Sequence, residues 1–200
     1  IDQGTTGTTA LLMDTALNRV AEAAVDFEQH FPKPGWVEHD LEDIWMTVVQ
    51  TVREVTKHVD PRKIVAIGIT NQRETICFWD RDTGKPLARA IVWQDRRTAE
   101  MCQQLRDKGT EPFFQDNTGL LLDPYFSGTK VAWALKNWGD VKTAHKEGRL
   151  AAGTIDSYLI ARLSGGAVHA TEPSNASRTL CFNLHKHKWD PELCTALGLP

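Results

Sequence analysis

The sequence predicts an α/β domain, a mixed sheet flanked by helices. Two observations predict it: short apolar runs separated by turn residues open the chain, and segments of helical period then alternate with strand-like runs. Size agrees, since 200 residues with 41% hydrophobic content can bury a substantial core. No repeat of roughly 20 to 50 residues, no low-complexity tract and no internal domain boundary interrupts the pattern.

Thr8 to Met13 reads as a short apolar strand, Asp14 to Asn18 as a turn and Val20 to Phe27 as a further strand, so antiparallel strands open the domain. Pro32-Lys33-Pro34-Gly35 breaks the pattern. Asp40 then caps a helix over 40–58, whose Leu41, Ile44, Val48, Val52, Val55 and Val59 recur every three to four residues. The apolar run Ile64-Val65-Ala66-Ile67-Gly68-Ile69 reads as a buried strand ending at Thr70. Thr75 to Trp79 and Ala88 to Val92 follow as strands, joined through Asp80-Arg81-Asp82-Thr83-Gly84, which has the chemistry of a hairpin turn. Later helices are expected over 97–108, 129–138 and 157–164, closed by Gly109, Gly139 and Gly165, and over 191–197 behind Asp190.

Charge and cysteine usage exclude some functions. With 23 Lys+Arg against 26 Asp+Glu the net charge is −3, and no basic block gives an electrostatic footprint for nucleic acid. No apolar stretch approaches the roughly 18 residues that span a bilayer, and no basic-then-apolar leader opens the chain, so a soluble protein without a membrane partner is expected. Cys77, Cys102, Cys181 and Cys194 are isolated in sequence and read as reduced thiols of a cytoplasmic protein. The first residue is Ile1 and a turn follows at once, so a first strand is expected to be cut into there.

Arg73 and Glu74 stand at the carboxyl end of the apolar run 64–69, where open α/β sheets keep their ligand sites. Opposite charges there are costly to bury without partners, and a polyhydroxylated substrate could supply them; an ion pair capping the strand is the plainer reading. Asp2-Gln3-Gly4-Thr5-Thr6-Gly7 is a Gly-rich tip between two strands. It can turn backbone N–H groups and Thr hydroxyls toward phosphate oxygens, with Asp2 holding Mg²⁺ through its water shell, or it can simply be a hairpin turn. Neither G-x-x-x-x-G-K-[ST] nor G-x-G-x-x-G occurs. His169, His185 and His187 lack acidic or Cys partners at ligand spacing, and Asn175-Ala176-Ser177 matches a glycosylation triplet by string alone.

Taken together, six stretches resemble one family. They are Asp2 to Thr6, Phe31 to Asp40, Gly68 to Thr75, Ala90 to Arg97, Asp123 to Lys130 and Ser174 to Thr179. In order and over the whole chain they resemble the glycerol kinases, within the FGGY family of carbohydrate kinases. That resemblance implies a ribonuclease H-like fold shared with actin-like ATPases, and the N-terminal lobe of an enzyme that phosphorylates glycerol to glycerol 3-phosphate with ATP and Mg²⁺. By it, Arg73, Glu74 and Tyr125 hydrogen-bond the glycerol hydroxyls, Trp93 covers the carbon backbone, Thr5, Thr6 and Gly7 contact the nucleotide phosphates, and Asp2 lies on the metal side. A three-carbon triol calls for such a wall with polar edges. For Trp93 and Tyr125 simple core packing is the alternative.

Two departures stand out. The family loop usually has Ser at the place of Gly7 and Arg at the place of Thr9. The family's catalytic base, an Asp in a Gly-Asp-Gln segment, belongs to a C-terminal lobe and is expected downstream of Pro200, so residues 1–200 carry no catalytic residue; Gly139-Asp140-Val141 reads as a helix cap and turn. The expected partners are therefore glycerol, ATP and that lobe, with a homo-oligomer left open. Another polyol or sugar kinase of the family, and a non-catalytic polyol-binding or actin-like module, are the competing readings.

Overall fold

The computed structural model describes residues 1–200. Two sheets carry the fold. The first has the order β3(Arg19–Asp26), β2(Gly7–Met13), β1(Asp2–Gln3), β6(Thr70–Asn71), antiparallel except for the parallel pair β1 and β6. The second is antiparallel, in the order β4(Gln29–His30), β5(Glu38–His39), β8(Ala90–Ile91), β7(Ile76–Asp80), β9(Leu150–Thr154).

Helix α1(Leu41–Thr56) forms where its apolar spacing predicts, and Asp40 caps it by accepting from the N–H groups of Glu42 and Asp43 at 2.8 and 3.4 Å. Leu41, Ile44, Val48 and Val55 are buried, and Thr47 meets Thr8 of β2 hydroxyl to hydroxyl at 2.8 Å. Strand β7 is buried on both faces. Cys77 and Trp79 join α1 and α6(Ile155–Leu163) in the main core, whereas Ile76 and Phe78 pack beneath α4(Ser127–Asn137) and α5(Gly139–Lys146). A satellite core of Leu105, Phe114, Leu122, Leu180, Leu193 and Leu197 joins α2(Ala99–Asp107), α3(Glu111–Thr118) and α8(Pro191–Ala196). The remaining pieces are α7(Pro173–Ala176) and the hairpin of β10(Phe182–Asn183) with β11(Lys188–Trp189). No helix is long and apolar enough to cross a membrane.

The hairpin turn after β7 is as expected: Asp80 Oδ1 accepts from the N–H groups of Asp82 and Thr83, each at 3.0 Å, and Gly84 takes φ +70°. Two expectations are corrected. Residues 64–69 are not a buried strand: Val65 is 91% and Ile67 57% exposed, and pairing begins only at Thr70. The Ile1 amine donates to the Gly68 carbonyl at 2.8 Å, and residues 64–67 pair with no strand. Gly139 does not close α4 in a left-handed conformation but opens α5, so Gly139-Asp140-Val141 is helical.

Candidate functional site

The ends of β1, β6 and β8 meet the N-terminus of α4, and the candidate residues gather there. A buried amide network sets the loop that follows β1. Gln72 Nε2 donates to Gln3 Oε1 and to the Gly4 carbonyl, each at 3.1 Å, and stands 3.3 Å from Nδ1 of His39. Gln72 Oε1 in turn accepts from the Thr75 hydroxyl at 2.7 Å, and that hydroxyl accepts from the Trp93 N–H at 3.2 Å. Burial, aided by the charge of His30, pushes the His39 pKa down to about 4, so the ring is neutral and its Nδ1 accepts.

Loop Gly4–Gly7 is a tight turn, the Gly4 N–H donating to the Gly7 carbonyl at 2.9 Å. The N–H groups of Thr5 and Thr6 have no partner within the fold, and Thr6 is exposed. Two free backbone donors and two hydroxyls at a Gly-rich tip suit phosphate oxygens. Gly7 has a packing reason: a Cβ there would lie 2.6 Å from Asp26 Oδ1 and 2.8 Å from the Val25 carbonyl of β3. Asp2 is exposed and pairs across the sheet with Thr9. No second carboxylate, His or Cys groups with it into a metal cluster. A lone exposed carboxylate fits Mg²⁺ held through water and phosphate rather than in a protein cage.

Trp93 ties this loop to the second half of the site. Its indole N–H donates to the Thr5 hydroxyl at 2.9 Å, and its ring meets Tyr125 edge-on at 5.6 Å. Tyr125 is placed by its own N–H on Asp123 at 2.8 Å and by the ring of Phe126. Burial and the nearby Glu74 charge push its pKa above the usual value, against the charges of Arg178 and Arg73.

Glu74 and Arg73 do not pair. Glu74 is buried and accepts from Arg178 Nε at 2.7 Å, while Arg73 is exposed and makes no ion pair. The simple strand-capping ion pair is therefore excluded. Arg178, stacked over Phe126 at 4.9 Å, is a site residue that the sequence reading passed over; its only signal was its place in Ser174 to Thr179.

A second residue passed over is Lys130. Its ammonium is fully buried and donates to the carbonyls of Val92 (2.9 Å), Tyr125 (3.1 Å) and Glu74 (3.4 Å). Burial pushes its pKa down to about 7, opposed by the charges of Asp95 and Glu74. Three carbonyls call for the three N–H donors of the ammonium. One side chain thus joins the three segments that carry Glu74, Trp93 and Tyr125.

Three other tryptophans are structural. Trp36, Trp133 and Trp138 box the Arg97 guanidinium, with centroids at 3.9, 4.7 and 5.5 Å, and Arg97 pairs with Asp95 and Glu38, each at 2.8 Å. Asn175 of the glycosylation triplet is buried, donating to Glu172 at 2.8 Å and accepting from Asn71 at 3.0 Å. Pro200, beyond which the catalytic base is expected, is exposed after α8, next to the satellite core that Leu199 joins, and takes no part in the site.

Known proteins resemble the chain over its whole length. The model of the FGGY family of carbohydrate kinases, N-terminal domain, matches residues 1–200. A glycerol kinase of Chelativorans sp. (strain BNC1) is 54% identical over 202 residues, covering 100% of this chain and 40% of that protein. The crystal structure of Plasmodium falciparum glycerol kinase with ADP superposes with a TM-score of 0.93 at 36% identity, over 98% of this chain and 40% of that one. A gluconate kinase from Lactobacillus acidophilus follows at a TM-score of 0.86 and 27% identity, over 100% of this chain and 39% of that one. The chain spans about 40% of the length of the relatives it matches. Its fold is the ribonuclease H-like, actin-like ATPase fold of these kinases.

Proposed function

The chain belongs to the FGGY family of carbohydrate kinases, and from that membership we propose that it is the N-terminal, acceptor-binding lobe of an enzyme that transfers the γ-phosphoryl group of ATP to a terminal hydroxyl of glycerol. The observation that carries this reading is the juxtaposition of Trp93, Tyr125 and Glu74 with the loop at Thr5, through one indole N–H. It puts an aromatic wall and polar edges suited to a short polyol beside free backbone donors suited to phosphate.

In this reading Trp93 covers the carbon chain, and Glu74 and Tyr125 hydrogen-bond the hydroxyls. Arg73, unpaired within the fold, donates to the same ligand. Thr5 and Thr6 offer their N–H groups to the nucleotide phosphates, Gly7 lets the loop lie close to β3, and Asp2 holds the hydration shell of Mg²⁺. Mg²⁺ bound there would neutralise charge on the phosphoryl oxygens. The catalytic base belongs to a second lobe downstream of Pro200, and closure of the two lobes excludes water from the acceptor hydroxyl. Four unpaired thiols fit a cytoplasmic location.

The test is steady-state kinetics on the full-length enzyme with glycerol, dihydroxyacetone, erythritol, xylitol, xylulose and gluconate. Glycerol should give the highest kcat/KM. A higher value for xylulose or gluconate would assign the chain to another sugar kinase of the family, and binding without turnover would make it a non-catalytic module. Residues 1–200 alone should not turn over.

A further inference from the structure

Arg178 is fixed by its backbone as well as by its side chain. Its carbonyl accepts from the Ser127 N–H at 3.3 Å, and the Ser127 hydroxyl donates to the Glu74 carbonyl at 3.1 Å, so the first turn of α4 fastens the Arg178 and Glu74 segments together. The chain beyond Arg178 lies closer still: a Cβ on Gly128 would come within 2.4 Å of the Thr179 carbonyl. Before it, Asn71 of β6 donates to Asn175 of α7 at 3.0 Å. From this mount the guanidinium reaches Glu74 Oε1 through Nε alone, at 2.7 Å. The unpartnered polar atoms sealed from solvent are His39 Nε2 and Arg97 Nη1, so Glu74 Oε2 and both Nη groups of Arg178, which have no partner in the fold, stay accessible. They open beside the aromatic wall, for the guanidinium lies over Phe126 at 4.9 Å, Phe126 meets Tyr125 at 5.3 Å, and Tyr125 meets Trp93 at 5.6 Å.

Resting on the acceptor-binding role argued above, we propose that Arg178 is a specificity-determining residue whose Nη groups donate to a spectator hydroxyl of the polyol, next to the hydroxyl that Glu74 accepts from. A guanidinium only donates and a carboxylate only accepts, whereas a hydroxyl does both. One ligand hydroxyl therefore gives its proton to Glu74 Oε2, and its neighbour accepts from Arg178. The two side chains are already joined at 2.7 Å, so the ligand oxygens that meet them lie close together, as they do on adjacent carbons. Both contacts are charge-assisted. The hydroxyl that attacks phosphorus needs its lone pair free, which puts the Arg178 donor on one that is not phosphorylated. Exposure agrees with this division: the Arg178 side chain is 25% exposed and faces the ligand, while Glu74, at 5%, sits behind it. Ser127 and Lys130 hold the Glu74 carbonyl from beneath, so the edge that meets the polyol is set before the polyol arrives.

The experiment compares glycerol with 1,3-propanediol, which lacks the middle hydroxyl, and with 1,2-propanediol, which lacks a terminal one, as acceptors for the full-length enzyme and for Arg178→Lys and Arg178→Met. Lysine keeps a charge beside Glu74 without the fork; methionine keeps the stem without the charge. Wild type should favour glycerol over both diols in kcat/KM. Each variant should shrink that preference about tenfold or more for the diol that lacks the hydroxyl Arg178 meets, and leave the other ratio near its wild-type value. Where a diol turns over too slowly, its inhibition constant against glycerol is compared instead. These ratios do not depend on how much of a variant folds, because misfolded protein lowers every kcat/KM alike. Equal losses on all three acceptors would overturn the proposal and leave Arg178 as a structural partner of Glu74. So would a wild type that does not distinguish glycerol from either diol. If wild type instead uses xylulose or gluconate better than glycerol, the acceptor reading itself fails, and this inference with it.

Discussion

The indole N–H of Trp93 donates to the Thr5 hydroxyl at 2.9 Å across 88 positions of sequence, so the proposed polyol wall and the proposed phosphate loop share one hydrogen bond. In the full-length enzyme Trp93→Phe, which keeps a ring and loses that donor, should raise KM for glycerol and for ATP together. Thr5→Val should do the same. A double-mutant cycle on kcat/KM should give a coupling of about 0.5–1.5 kcal/mol, and additivity would show that the two halves are positioned independently.

Arg73 and Arg178 flank Glu74 with opposite consequences. Arg178→Ala removes the partner of a buried carboxylate and should cost about 2–3 kcal/mol of stability in urea unfolding. Arg73→Ala touches an exposed side chain without partners and should change stability by less than about 0.5 kcal/mol while weakening glycerol use by about 1.5–3 kcal/mol. Equal stability losses in the two variants would contradict these assignments.

Much of this arrangement was legible in the sequence, and the unread part has a common cause. Trp93 and Tyr125 join Arg73 and Glu74 in the reading only through the family resemblance, whereas the period and cap of α1 and the hairpin at Asp80 to Gly84 follow from local patterns. The roles of Arg178 and Lys130 do not: Lys130 is an ordinary helical lysine in sequence, and only the approach of three distant carbonyls gives it a purpose. Likewise the run 64–69 has strand composition, but strand formation depends on a neighbour, which composition does not encode. Strand β9 and helix α3 went unread because Leu150-Ala151-Ala152-Gly153-Thr154 and Glu111-Pro112-Phe113-Phe114 carry little periodicity.

Lys130→Met should act as loss of a positioning residue. It leaves the Val92 and Tyr125 carbonyls without their buried donor, so a stability loss of about 2–4 kcal/mol is expected in urea unfolding. KM for glycerol should rise more than KM for ATP, since Glu74, Trp93 and Tyr125 lie on the segments it joins. Equal rises would point to general loosening instead.

His39 predicts an acid limb. Its folded-state pKa of about 4 lies below the usual histidine value of 6.5, so the unfolded chain binds more protons between those limits. Stability from this group is fully present above pH 6.5 and is lost as pH falls to about 4, by at most about 3 kcal/mol. Urea midpoints across that range should fall less steeply in His39→Gln than in the wild type; parallel slopes would mean that other groups carry the limb.

Thr9 and Asp2 are cross-strand partners, and Thr9 lies on the sheet face opposite Thr8, which turns toward α1. Thr9→Arg would therefore set a guanidinium beside Asp2, on the face where the phosphate loop is read to work. If the charge reaches the nucleotide, KM for ATP should fall several-fold at low ionic strength, with little change for glycerol, and salt should erode the gain. If the introduced guanidinium instead pairs with Asp2, the gain should vanish and the Mg²⁺ concentration needed for half-maximal rate should rise, because the carboxylate read as holding the ion's water shell is then occupied. Titrating ATP and Mg²⁺ separately distinguishes the two. No change in either would mean that position 9 faces neither phosphate nor metal, and would remove Asp2 from the site as well.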